Sequence, residues 1–284
     1  MIYVRGEKMF GLLSKKSKKT NTKTICSIPE FIQTMKESSD FVSYNVLEDE
    51  TLCLFYYKSV VEALIIKQFI LTPIKKKAEH IQNISDLYNI VSIEDIITSP
   101  SIDDIREKLL GGYILIRLKN NSNPDQYALI RAESTVLGKR LYNDTENEYS
   151  VIGPKVGFVE NIDTNIHLLR RNIVTEQLIF KEIIVGSMSK TKVAVAYIEG
   201  VTNEQFINIA IQRLENIDFD VPFDATMIEQ FISDNSNSPF PVLLPTERLD
   251  RAIFALISGE VLILTDGSPY ALSGPTTLLD FFIS

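Results

Sequence analysis

LCLFYY, residues 52–57, and VAVAYI, residues 193–198, decide the fold class. Each is a continuous apolar run of strand length, the pattern of a strand covered on both faces, and both read as strands of a partly parallel sheet. A helix signal follows each run. Ser59 and Glu62 stand at capping-box spacing before ALIIKQFIL, and Thr202 and Gln205 stand at the same spacing before FINIAIQRL. Further out, a helix feeding a hairpin also recurs: residues 100–110, 112–118 and 127–131 correspond to 245–257, 259–264 and 270–273. KLLGGYILI aligns there with ALISGEVLI, and Asp266-Gly267 predicts a tight hairpin turn where the first copy has the longer loop 119–125. Four pieces in one order, at an offset of about 141 to 147 residues, indicate a tandem duplication.

The expected fold is therefore α/β: two tandem related subdomains, each a small mixed sheet with flanking helices. The expected boundaries are 25–140 and 151–284, joined by the polar, aperiodic stretch LYNDTENEYS at 141–150 and preceded by a basic leader at 1–24. Length agrees, since 284 residues make about two domains, and 45% apolar content supplies two cores. With 23% charged residues, 12 Gly and 11 Pro the chain is neither collagen-like nor broadly disordered. Two cysteines, Cys26 and Cys53, cannot build a disulfide scaffold and suit a reducing compartment.

Charge is unevenly divided. The leader carries seven cations against Glu7, a balance of +6, which leaves −14 for the remainder of a chain whose net charge is −8. An acidic body excludes nucleic acid as the expected partner, and the leader reads as a solvated, disordered segment. The longest apolar stretches, 63–74 and 252–264, are broken by Lys67 and by Gly259-Glu260, well short of the roughly 18 to 20 residues a membrane span needs. The N-terminus has no secretory signal pattern, so the chain reads as a soluble piece on the cytosolic side.

Familiar catalytic and phosphate-binding motifs are absent, and the reading is of a protein that is not an enzyme and holds no cofactor or metal. The two histidines, His80 and His167, are far apart, and His167 reads as a helix-surface residue. Glu48-Asp49-Glu50 reads as a solvated approach to a strand, and Asp103-Asp104 as a helix start. The candidate ligand site is Glu199-Gly200, with Tyr197, at the end of a buried strand, together with its counterpart Lys58-Ser59 in the first copy. Sheets of this class bind ligands at strand carboxyl ends, where Glu199 could accept from an ammonium or hydroxyl group and Gly200 allow close approach. The competing reading is a solvated turn.

GPKVGFVENIDTNIHLLRRNI, residues 153–173, is the most specific stretch. Turn formers precede a helix with Ile162, Ile166, Leu169 and Ile173 on one face, Arg170 at its border and Arg171 pointing away. Paired arginines so placed suit a carboxylate or a neighbouring subunit.

That stretch resembles one in the A subunits of bacterial spore germinant receptors, the GerA family, which typically reads GPRxGFxExxxTNxxLLRRRI. KTKVAVAYIEGV at 190–201 resembles the family's next block, and Phe240-Pro241, Pro245-Thr246-Glu247-Arg248 and 259–267 resemble a third. The resemblance covers 153 to the end; the match over 28–142 is weaker. Carried over by position are Gly153, Pro154, Gly157, Phe158, Glu160, Asn165, Leu168, Arg170 and Arg171, then Lys190, Thr191, Lys192, Tyr197, Glu199 and Gly200, then Pro245, Thr246, Glu247 and Arg248. Asn172 stands where the family commonly has a third arginine.

The resemblance implies the soluble N-terminal domain of a receptor subunit in the spore inner membrane, on the core or cytosolic side, continued by membrane-spanning helices. It implies B and C subunits, and other A subunits, as partners, and a small nutrient, an amino acid or sugar, as the signal. Two subdomains with a hinge would close on that ligand. The alternative is a pure assembly scaffold with no small-molecule site.

Overall fold

The structure, a computed structural model, describes residues 27–47, 50–119, 124–133, 143–144, 156–222, 224–233 and 243–275. Outside the described residues lie the leader, Cys26, Glu48-Asp49, Gly153, Pro154, Phe240-Pro241, residues 276–284 and all of the expected linker except Asn143 and Asp144.

The first half runs α1 (Ile28–Met35), β1 (Phe41–Asn45), β2 (Leu52–Tyr57), and a helical run of α2 (Ala63–Ile65), a π-helix (Ile66–Leu71) and α3 (Thr72–Lys76). It continues with α4 (Leu87–Ile90), β3 (Ile96–Thr98), α5 (Ile102–Leu110), β4 (Tyr113–Leu118) and β5 (Gln126–Arg131). A two-residue pair, β6 (Asn143–Asp144) with β7 (Val156–Gly157), precedes the second half. There follow α6 (Ile162–Asn172), β8 (Leu178–Val185), β9 (Thr191–Ile198), α7 (Glu204–Glu215), α8 (Ala225–Ile232), β10 (Leu244–Thr246), α9 (Leu249–Ser258), β11 (Val261–Thr265) and β12 (Ala271–Gly274).

Two five-stranded sheets result, ordered β1-β2-β4-β5-β3 and β8-β9-β11-β12-β10. Strand for strand the two orders are the same, so the duplication read from the sequence is a duplication of topology. The strongest local match has a backbone cause: Gly112 and Gly259 both take positive φ, 84° and 94°, at the turn from helix into strand. A Cβ at Gly112 would come within 2.8 Å of the Glu133 Cα, which bars any side chain there.

The sheets are not mixed as expected; every pairing in both is antiparallel. The runs that suggested parallel strands are continuous because helices cover both faces. In β9, Ala194, Ala196 and Ile198 join a core with α6 and α9, whereas Val193, Val195 and Tyr197 join one with α7 and α8.

Both expected capping boxes are replaced. Asn203, not Thr202, caps α7 by accepting from the Gln205 N–H at 2.9 Å, while Thr202 turns back to accept from the Ile198 N–H. Glu62 stands at the N-cap of α2 without capping it through its side chain, and Ser59, the expected cap, instead donates its hydroxyl to Asp40. Asp266-Gly267 does not make a tight hairpin: β11 and β12 pair from Leu264 opposite Ala271. Their longer connection clasps α6, with Gly267 N–H donating to the Glu160 carbonyl and Asp266 Oδ1 accepting from Ile162 N–H.

Candidate functional site

α6 starts on Asn161, whose side chain accepts from Thr164 N–H at 2.9 Å, and its last turn carries Arg170 and Arg171, cations that suit the helix C-terminus. One face meets sheet two through Ile162, Ile166, Leu169 and Ile173. Thr164, Asn165, His167, Leu168 and Arg170 are buried as well. A helix buried almost all round has two neighbours, and the second here is the first half of the chain.

Among the described residues Arg170 is the largest fully buried side chain, at 0% exposure, and forms a bidentate pair with Asp40, also at 0%. Nε donates to Oδ2 at 3.1 Å and an η nitrogen to Oδ1 at 2.8 Å. The other η nitrogen reaches the Thr175 carbonyl at 3.2 Å. The guanidinium lies 4.5 Å from the Tyr57 ring centroid and 5.0 Å from that of Phe180, one ring from each half. Asp40 is completed by Ser38 and Ser59, whose hydroxyls each donate to it at 2.6 Å. With its carboxylate oxygens and most of the guanidinium donors satisfied, the pair can tolerate its desolvation. Burial raises the pKa of the Tyr57 phenol, an effect the Arg170 charge partly opposes, so the hydroxyl stays protonated and donates to Met35 Sδ.

The expectation that Arg170, at the border of the apolar stripe, acts with Arg171 as a pair for a carboxylate or a neighbouring subunit is therefore corrected: Arg170 is an internal clamp, and of the two only Arg171 is exposed. His167 is corrected too. It is buried, and its Nδ1 sits 2.6 Å from the Ser59 carbonyl oxygen, which puts the proton on Nδ1 and leaves Nε2 without a hydrogen-bond partner among the described residues.

Backbone bonds extend the seam. β8 is an edge strand of sheet two, and its exposed groups are taken up by the turn before β1: Ser39 N–H donates to the Phe180 carbonyl, and Phe180 and Glu182 N–H donate to the Ser38 and Ser39 hydroxyls. Ion pairs Lys58–Glu182 and Arg106–Glu176, both at 2.6 Å, cross it nearer to solvent. Beside these lies a pocket of about 320 Å³, lined by Lys58 and Ser59 from the first half and by Asn161, Asp163, Thr164 and Lys192 from the second. Lys192 lies 3.4 Å from Asp163, so the pocket offers cations, a carboxylate and hydroxyls within one concavity.

The two candidate ligand positions are not brought together. Lys58 and Ser59 reach the seam pocket, whereas Glu199 and Gly200 form an exposed turn at the far end of β9, about 23 Å from Lys192 at strand rise. Gly200 takes φ 75°, which the turn requires, and Tyr197 is a buried member of the α7/α8 core.

Most of the carried-over residues hold the fold. Asn165 grips the backbone of Val159 from both sides, accepting its N–H and donating to its carbonyl. Phe158 is buried, and its N–H donates to the Glu247 carbonyl, while Gly157 bridges to Arg248, so the first and third blocks meet. Thr246 is buried and accepts from Arg248 N–H, Arg248 pairs with Asp250, and Pro245 sits on the edge strand β10. Thr191 donates to the Pro222 carbonyl, and Lys190 has positive φ in the turn before β9. Ser38 and Asp40 escaped the sequence reading; the one available signal was an arginine on the flank of an apolar stripe, which a buried carboxylate must answer.

Among the described residues no helix is long and apolar enough to cross a membrane, and no group of three or more His, Cys, Asp or Glu could hold a metal. Residues 30–284 match the family model described as Bacillus/Clostridium GerA spore germination protein. The chain is 35% identical over 260 residues to spore germination protein GerQA of Bacillus cereus, covering 91% of this chain and 51% of that protein. Against GerIA of Bacillus cereus it is 31% identical over 262 residues, covering 92% and 38%. It thus spans about half or less of these relatives' length. The crystal structure of the N-terminal domain of the A subunit of the Bacillus megaterium spore germinant receptor GerK3 superposes with a TM-score of 0.59 at 22% identity, over 87% of this chain and 92% of that one, a likeness of fold.

Proposed function

Because the chain belongs to the GerA spore germination protein family, we propose that it is the part of a germinant-receptor A subunit that lies outside the membrane and that it senses a small nutrient at the seam between its two halves. The observation that carries this reading is the seam pocket, to which both halves contribute polar and charged groups directly beside the Arg170–Asp40 clamp. A ligand held by Lys58 and Ser59 on one side and Asp163, Thr164 and Lys192 on the other would bind one arrangement of the halves better than any other, and by linkage would shift the molecule toward it. The whole receptor is placed by this reading in the spore inner membrane, with this domain on the core side and B and C subunits or other A subunits as neighbours. No turnover is proposed: the chemistry is binding and transmission.

A thermal-shift series against amino acids, sugars and inorganic ions tests it. At 100 times its dissociation constant a ligand adds roughly 2.7 kcal/mol, and each kcal/mol is worth about 2 to 4 °C for a chain of this size. The expected result is a saturable shift from one compound, lost in Lys192→Ala. A flat panel over a cooperative melt would sink the sensor reading and leave assembly, for which Phe254 and Ile257, 67% and 60% exposed on α9, are the surface to examine.

A further inference from the structure

A second pocket, of about 420 Å³, lies on the first half against the π-helix. Pro73 has no N–H to bond the carbonyl four residues back, and its ring crowds that carbonyl, so a regular α-helix cannot continue through it. The run widens into the π-helix Ile66–Leu71 instead, and the Thr72 hydroxyl and N–H both return to the Lys67 carbonyl. Beneath it, β1 and β2 pair Val42 with Tyr56 and Tyr44 with Leu54, which puts Tyr44 and Tyr56 diagonally on one face of the sheet.

The charges in this pocket have one sign. Lys58, Lys67 and Lys75 line it, none of its ten lining residues is a carboxylate, and Ile66 and Leu71 are among the apolar groups between the cations. Lys75 is held in place: its ammonium donates to the Tyr44 hydroxyl at 3.0 Å and lies 5.5 Å from that ring's centroid. Burial, and then the neighbouring Tyr44, raises the Tyr56 pKa, so its phenol remains a neutral donor. Ammonium groups at the rim and apolar side chains between them match a molecule built the same way.

We propose that this pocket binds an organic anion with an apolar body, a phosphate or carboxylate head on an alkyl or aryl tail. The head meets Lys67 and Lys75, and the tail lies along Ile66 and Leu71. Lys58 adds a link to the seam, since its ammonium already serves Glu182 of the second half at 2.6 Å, and a bound anion competes for it. The surrounding acidic body disfavours polyanions that spread over the surface, so the expected ligand is small or presents one headgroup at a time.

Calorimetric titration of octyl phosphate into the 284-residue chain tests the proposal. Saturable binding is expected, weakened about tenfold by Lys67→Glu and by Lys75→Glu, and unchanged by Lys76→Glu, an exposed lysine outside the lining. Octyl phosphate should exceed ethyl phosphate by about fourfold for each methylene that is buried, and octanol should bind far more weakly. Circular dichroism melts confirm that the variants are folded. Co-sedimentation with phosphatidylglycerol vesicles but not phosphatidylcholine vesicles, lost in Lys67→Glu, assigns the headgroup to a lipid; no sedimentation alongside intact octyl phosphate binding assigns a free organic anion. Absence of saturable binding, or equal weakening by Lys76→Glu, overturns the site.

Discussion

Lys58-Ser59 and Glu199-Gly200 hold equivalent places in the two halves, each directly after the second strand of its sheet, yet their surroundings are opposite. Ser59 is buried at 6% exposure, hydrogen-bonded to Asp40 through its hydroxyl and to His167 through its carbonyl. Glu199 and Gly200 form a turn in solvent. The difference comes from what packs on each. α6 of the second half lies across the first copy of this loop, and among the described residues no helix covers the second copy in the same way. A duplicated topology therefore fixes where the backbone goes, and contact between the copies decides which loop acquires chemistry.

The largest effect should come from the clamp that creates this asymmetry. Arg170→Ala leaves Asp40 buried and unpaired, and Asp40→Ala does the converse, so each should cost about 3 to 5 kcal/mol of unfolding free energy in a urea titration. Replacing both, Arg170→Met with Asp40→Leu, removes the uncompensated charge and should recover most of that loss. A single substitution costing under about 1 kcal/mol would mean that the halves are held by the rest of the seam, its backbone bonds and outer ion pairs, and not by the clamp.

The same asymmetry explains what could be read in advance. The repeat located β2 and β9, α5 and α9, and the paired strands β4/β5 and β11/β12, because each leaves a local pattern of apolar period or glycine turn. The edge strands were invisible to it. β8 carries Lys181-Glu182 in mid-strand, and β3 and β10 are three residues each, too short to show alternation. The parallel reading failed because a run such as VAVAYI records only that both faces are covered, which antiparallel strands between two helix layers satisfy equally. Of the site, Arg170 stood out and its partner did not. Asp40 lies 130 residues away in Ser-Ser-Asp, which alone reads as a turn.

A smaller effect separates the equivalent loops directly. Ser59→Ala removes a hydrogen bond to a buried carboxylate and should cost about 1.5 to 3 kcal/mol. Gly200→Ala puts a side chain at a positive φ of 75°, a strain worth about 1 to 2 kcal/mol. If the two cost the same and neither disturbs the His167 ring resonances, the seam is not what distinguishes the copies; a Ser59→Ala change that shifts those resonances while Gly200→Ala leaves them still supports it.

The smallest effect is the most discriminating. Glu199→Gln changes one exposed carboxylate at the end of β9 and should move stability by no more than about 0.5 kcal/mol. If nutrient binding belongs to the seam, a ligand-induced thermal shift should survive this substitution unchanged, since the pocket lies at the opposite end of the strand beside Lys192. A shift abolished by Glu199→Gln and untouched by Lys192→Ala would move the ligand to the strand end. The exposed loop would then be the functional copy, and the buried loop, with its clamp, would serve only to hold the two halves in register.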